Sequence, residues 1–275
     1  MTSVAHSPEK SAGGAATIAC LGAGQLGRML ALAGHSLGMK LRFLDPTAAS
    51  PAGDVGELVV GAYEDAAARG RLIEGAQVVT YEFENVPVAA ARALAARLPV
   101  YPPPRALEVS QDRLAEKAFF QGLGIPTAPF ACVDSEKDLE KALAAVGLPA
   151  VLKTRRGGYD GKGQALARNL AEAARALARL GGKDVIVEGF VDFERELSIL
   201  AVRSPAGALA FYPLVENHHA GGILRLSLAP APFLDEALQA QAERLAREVL
   251  EALGYVGVLA IALFDLLYQR WQYER

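Results

Sequence analysis

Between Lys153 and Gln164 the chain reads Lys-Thr-Arg-Arg-Gly-Gly-Tyr-Asp-Gly-Lys-Gly-Gln, with glycines at 157, 158, 161 and 163 set among the cations Lys153, Arg155, Arg156 and Lys162. Glycines let backbone amides close on an anion, and the flanking cations neutralise it, so the stretch suits a triphosphate. It is not a P-loop. That motif needs a glycine five residues before the Gly-Lys pair, where this chain has Arg156, and a Ser or Thr after the lysine, where it has Gly163. The bland alternative is a β-turn with solvated charges.

A second glycine cluster, Gly22-Ala-Gly24-Gln-Leu-Gly27, follows the apolar run Thr17–Leu21 and opens a helix-like segment. This arrangement meets the conditions for a dinucleotide fingerprint, and Asp45 ends the next strand-like run where a ribose-binding acid would stand. A nicotinamide-dependent oxidoreductase is therefore an alternative. Against it, Arg28 follows the last glycine directly, which suits a compact phosphate, and the loop after Lys153 already supplies a nucleotide site. One nucleotide and one phosphorylated substrate account for both clusters more simply than two cofactors.

Two further segments carry polar groups. Val185–Val191 reads as a strand ending in Glu188, able to offer backbone carbonyls to an adenine and an acid to a ribose. Asn217-His218-His219 followed by Gly221-Gly222 reads as a polar loop between strands, holding two of the chain's four histidines. A lone histidine is more often structural than catalytic.

These groups need a frame. Apolar runs at Thr17–Leu21, Lys40–Leu44, Glu57–Val60 and Gln77–Thr80 alternate with helical or turn material, which predicts parallel strands in an open α/β sheet. Tyr101-Pro-Pro-Pro104 reads as a stiff linker. Beyond it, helices are expected over Gln111–Leu123, Asp138–Val146, Leu170–Leu180 and Asp235–Leu253, with strands at Ala150–Lys153, Asp184–Glu188, Glu196–Val202, Ala208–Leu214 and Tyr255–Phe264. The last of these could leave an unpaired, aggregation-prone edge.

The 275 residues, 52% hydrophobic and 21% charged, are enough for a sizeable core without staples. A formal charge of −3 provides no basic field for nucleic acid. The two cysteines, Cys20 and Cys132, form neither a zinc spacing nor a disulfide framework, read as small buried hydrophobes, and fit a reducing cytoplasm. The Ser/Ala/Gly-rich start has no secretory pattern, and the longest apolar run, Val256–Phe264, is too short to span a bilayer; a soluble, cytoplasmic protein without a membrane partner is expected.

Seven motifs, GQLGRM (24–29), TYEFENVP (80–87), QDRLAEK (111–117), GGYDGKGQ (157–164), FYPLVENHH (211–219), GGILR (221–225) and GYVGVLA (254–260), occur in the order found in one family. Over about residues 17 to 264 the chain resembles the N5-carboxyaminoimidazole ribonucleotide synthetases of the ATP-grasp superfamily. The resemblance implies an α/β fold with a disordered tail (1–16), a Rossmann-like pre-ATP-grasp domain (17–104), an incomplete ATP-grasp domain (105–264) and an atypical tail (265–275). It implies ATP-dependent carboxylation of aminoimidazole ribonucleotide with bicarbonate, through carboxyphosphate, by a homodimer in purine synthesis. Arg113 and Lys153 would contact the ATP phosphates, under a loop of Gly158, Tyr159, Asp160, Gly161, Lys162, Gly163 and Gln164. Glu188, Gly189, Phe190 and Val191 would line adenine and ribose, with Glu196 and His219 also at the nucleotide. Lys153, Asp160 and His219 are the implied catalytic groups. Tyr159, Asp160, Arg225, Glu82 and the turn Gly24, Gln25, Leu26 would hold the ribonucleotide.

The family's magnesium ligands are the exception. Where its members carry a metal-binding glutamate this chain has Ala262, and no Asn-Glu pair follows, so no metal-binding residue is assigned. Asp265 and Glu274 are the carboxylates that would have to stand in. A truncated or frame-shifted, non-catalytic remnant is the corresponding alternative.

Overall fold

The computed structural model describes residues 15–158 and 162–265. Most of the expected N-terminal tail, the loop tip Tyr159–Gly161 and residues 266–275 lie outside them. The chain divides into two compact units between Tyr101 and Pro102, within the proline run.

The first unit is built on four parallel strands: β1 (Thr17–Leu21), β2 (Lys40–Asp45), β3 (Glu57–Val60) and β4 (Val78–Tyr81), ordered β3-β2-β1-β4. Helices α1 (Gln25–Ser36), α2 (Ala66–Leu72) and α3 (Val88–Ala95) make the crossovers. Ala19, Cys20 and Leu21 are fully buried because β1 is flanked on both edges, and the Cys20 thiol is a core group. Burial, with the nearby Glu82 charge, pushes that thiol far above its ordinary range. The strand order reverses beside β1, so the crevice beyond the ends of β1 and β4 is the switch point where such sheets bind ligands.

In the second unit, α4 (Pro104–Ser110) and α5 (Arg113–Gly122) come first. The sequence predicts one helix over Gln111–Leu123. Instead a new helix starts at Arg113, because the Asp112 carboxylate caps it by accepting from the amides of Leu114 (3.0 Å) and Ala115 (3.4 Å).

An antiparallel sheet follows, with β5 (Phe130–Val133), β6 (Ala150–Thr154), β7 (Gln164–Ala167) and β8 (Val185–Gly189) in the order β5-β8-β6-β7. Strand alternation gives its two faces different fates. Ala150, Leu152, Val185 and Val187 pack under α6 (Leu139–Val146) and α7 (Leu170–Arg179), while Lys153 and Glu188 fall on the opposite face. Cys132, on β5, is only half-buried, and its thiol donates to Asp134 Oδ1 at 3.1 Å.

The second sheet is centred on β9 (Arg195–Arg203), with β10 (Leu209–Phe211) and β11 (Val215–Ala220) along one edge and β12 (Ile223–Leu228) outside β11. After α8 (Glu236–Ala252), β13 (Gly257–Asp265) pairs with β9 over its whole length, from Gly257 opposite Arg203 to Asp265 opposite Arg195. The run expected to present an unpaired edge is thus zipped to β9 on one side. Leu197, Ile199 and Ala201 pack with α8, with Phe119 and Phe120 of α5 and with Leu123 just beyond it. Among the described residues no helix is long and apolar enough to cross a membrane.

Candidate functional site

Helix α5 joins two surfaces of the second unit. Its apolar positions serve the β9 sheet, whereas Arg113, Glu116 and Lys117, three and four residues apart, share another face. Arg113 grips the glycine loop: Nη1 donates to the carbonyls of Thr154 and Gly157, each at 2.8 Å, and Nη2 to Gly158 O at 3.3 Å. In this state Arg113 holds the loop's backbone.

The loop is a turn closed on itself. Gly158 and Gly163 both adopt positive φ, and a Cβ on Gly158 would stand 2.7 Å from Lys162 O. Only glycine fits there without displacement. Thr154 Oγ1, which faces both glycines, is buried and has no hydrogen-bond partner among the described residues. Tyr159, Asp160 and Gly161 lie outside the described residues, between Gly158 and Lys162, and Gln164 stands opposite Lys153 at the start of β7.

Asp112 anchors the base of the loop. Arg155 donates to it through Nε (3.1 Å) and Nη2 (2.7 Å), and Arg156 Nε lies 3.3 Å away. Asp112 is 3% exposed. Burial would raise its pKa, but the Arg155 hydrogen bonds and charge with the Leu114 and Ala115 amides outweigh burial and hold it below the usual carboxylate range. Two of the loop's four cations therefore serve the protein itself.

Glu188 is 6% exposed and carries two lysines on one oxygen, Lys153 Nζ at 3.0 Å and Lys117 Nζ at 3.4 Å from Oε2. Glu116 lies among the same charges, and burial pushes its carboxyl upward despite Lys117 and Arg113. Gly189 ends β8, its amide on Pro129 O, and the half-exposed Phe190 donates its amide to Pro149 O, with Val191 following.

On the second sheet, Glu196 and Ser198 point away from the core. His219 Nδ1 lies 3.0 Å from Glu196 Oε2, and His218 Nε2 lies 2.9 Å from Glu216 Oε1. Ser227 and Asn217 continue this polar face in a chain that ends on Ser198 Oγ. The histidines are not in a loop, as the sequence predicts. They lie on β11, which pairs with both β9 and β12, and a register irregularity falls between them. The end of β11 is exposed on both sides, so it tolerates consecutive polar residues that alternate across the strand. Arg225 is exposed on β12.

The same face answers the question of magnesium. Register sets Ala262 opposite Ser198 and Phe264 opposite Glu196, so neither of these β13 positions brings a carboxylate to it. Among the described residues no three His, Cys, Asp or Glu side chains are grouped to hold a metal ion. The described residues of this face do not fit a protein-held cation.

In the first unit, the glycine turn is already filled. Glu82 Oε1 accepts from Gly24 N at 2.7 Å and Oε2 from Gly27 N at 2.6 Å, a carboxylate seated where a pyrophosphate would lie. Asp45 accepts from the amides of Ala23 (3.1 Å) and Thr47 (2.8 Å) and from the Tyr63 hydroxyl (3.2 Å). Both features required of a dinucleotide fingerprint are thus spent on internal bonds, and the nicotinamide reading is rejected. Glu82, Gly24, Gln25 and Leu26 do come together at the switch point.

Residues 15–111 match the ribonucleotide synthetase preATP-grasp domain and residues 118–270 the ATP-grasp domain. The N5-carboxyaminoimidazole ribonucleotide synthase of Pseudomonas aeruginosa is 48% identical over 249 residues, covering 90% of this chain and 68% of that relative. The chain belongs to the N5-carboxyaminoimidazole ribonucleotide synthetase family of ATP-grasp ligases.

The crystal structure of the synthetase from Thermus thermophilus is 62% identical, with a TM-score of 0.85 over 91% of this chain and 68% of that one. The synthase from Aspergillus clavatus, solved in complex with ADP and 5-aminoimidazole ribonucleotide, is 27% identical, with a TM-score of 0.82 over 92% of this chain and 67% of that one. The family's pre-ATP-grasp and ATP-grasp order is therefore the order found here. Asp112, Glu116 and Lys117 also belong to this site without a motif of their own; the sequence signal for Lys117 is that it lies one helical turn beyond Arg113.

Proposed function

We propose that this chain uses ATP and bicarbonate to carboxylate the exocyclic amine of 5-aminoimidazole ribonucleotide. The observation that carries the reading is the glycine turn braced by Arg113 and bordered by Lys153, in a chain of this family. A bicarbonate oxygen attacks the γ-phosphorus, the bond to the bridging oxygen of ADP breaks, and carboxyphosphate forms. The amine of the ribonucleotide then attacks the carboxyl carbon, the carbon–oxygen bond to phosphate breaks, and the amine proton passes to a base.

Such transfers depend chiefly on positioning and charge neutralisation. Lys153 and Arg113 supply positive charge at the phosphates, and by the family resemblance the loop would close over them, keeping water from the carboxyphosphate. Glu188 to Val191 line the nucleoside, with Glu196 and His219 at its far side. In the tautomer that donates Nδ1–H to Glu196, His219 presents the Nε2 lone pair and can accept a proton; Asp160 is the other candidate. The turn Gly24–Leu26 with Glu82 contacts the ribonucleotide in this reading. A cytoplasmic homodimer working with magnesium-complexed ATP completes the reading.

The test is phosphate release by the purified chain given ATP, magnesium chloride and bicarbonate. Release stimulated by aminoimidazole ribonucleotide is expected. A folded, monodisperse sample that releases no phosphate would overturn the assignment, and sedimentation equilibrium tests the dimer.

A further inference from the structure

Resting on the reading of this loop as a nucleotide site, we infer that Lys117 is the standing counter-ion of Glu188, whose presence releases Lys153 to move onto the nucleotide phosphates. Both ammonium groups face the same carboxylate oxygen, at 3.4 and 3.0 Å, and Glu188 is nearly sealed from water. One cation would satisfy that charge. With the neighbouring Glu116 carboxyl also in the cluster, the second is not needed at Glu188 itself, and the two lysines repel each other across the shared oxygen.

The surroundings decide which lysine stays. The Lys117 side chain is 16% exposed and its ammonium lies over the Phe130 ring, 5.9 Å from the centroid. Phe130 is the cross-strand partner of Glu188, so the ring and the carboxylate hold Lys117 together. The Lys153 side chain is 26% exposed and stands at the end of β6, next to the residue that opens the glycine turn. Lys153 is the mobile member of the pair.

Breaking a buried ion pair by removing one partner is strongly unfavourable, because the other charge is left uncompensated. Without Lys117, Lys153 could reach a phosphate only by abandoning Glu188. With Lys117 in place the move leaves Glu188 paired. Lys117 is thus a positioning residue, acting through Glu188 on Lys153, and it contacts no substrate atom.

The test is calorimetric titration of the full chain with ADP, comparing wild type, Lys117→Met, Glu188→Gln and Lys117→Met/Glu188→Gln. Lys117→Met is expected to weaken ADP binding by roughly tenfold or more, within the usual range for coupled charges. In the Glu188→Gln background the same substitution should change affinity less than about twofold, since no buried charge then holds Lys153. Lys117→Arg should bind nearly as wild type. If Lys117→Met fails to fold, Lys117→Gln takes its place in the cycle. Equal ADP affinity of wild type and Lys117→Met overturns the inference, as does an equal penalty in both backgrounds. Failure of wild type itself to bind ADP overturns the nucleotide-site reading and, with it, this inference.

Discussion

Glu82 Oε2 accepts the amide of Gly27 at 2.6 Å, while its other oxygen takes Gly24, so a side chain from the end of β4 closes the start of α1. Two charge-assisted bonds at a helix N-terminus replace the anion that such a turn elsewhere recruits. Glu82→Ala should destabilise the first unit by about 1–3 kcal/mol, and Glu82→Gln by less. Hydrogen exchange at the Gly24 and Gly27 amides is the check; unchanged protection in Glu82→Ala would refute the capping role. NADH should give no saturable fluorescence change with wild type.

Asp112 predicts a pH dependence. Its folded pKa lies below the ordinary value of 3.8, so its stabilisation is complete above that value and is lost as pH falls through the folded pKa. Urea midpoints should fall steeply below about pH 4 in wild type. Asp112→Asn keeps a cap acceptor but loses the Arg155 pair, so it should start less stable at pH 7 and show a shallower acid slope. Parallel slopes would show that other carboxylates govern acid unfolding.

Gly163 has φ +76°, and a Cβ there would lie 2.8 Å from Thr154 Oγ1. Gly163→Ala should cost about 1–2 kcal/mol locally from the left-handed backbone alone. The expected result is a raised KM for ATP in the phosphate-release assay with a small change in melting temperature. An unaltered KM would separate the shape of this turn from nucleotide binding.

Lys153→Ala should remain folded, because Lys117 still faces Glu188, yet lose measurable ADP binding. Circular dichroism and the same calorimetric titration check the two halves. Wild-type affinity in this variant would remove Lys153 from the phosphate site.

Several features were legible in the chain itself. Apolar runs alternating with helical segments predict the parallel sheet of the first unit, because strands buried on both faces must be continuously apolar. Density of glycine and cation marks the loop at 157–163, since few other roles need both. Capping was less legible: Asp112 and Glu82 each stand before or far from the helix they close, and only the latter's position beside β1 brings it to Gly24.

The amino-acid sequence alone determined the order of elements, the phosphate-suited loop and the absence of a carboxylate at position 262, because these depend on residue type and spacing. Tertiary structure decided which charges remain for a ligand. Arg155 is committed to Asp112 and the fingerprint amides to Glu82, whereas Lys153 shares Glu188 with Lys117. Buried charges must find partners across elements distant in the chain, and that pairing is settled only when sheets and helices pack.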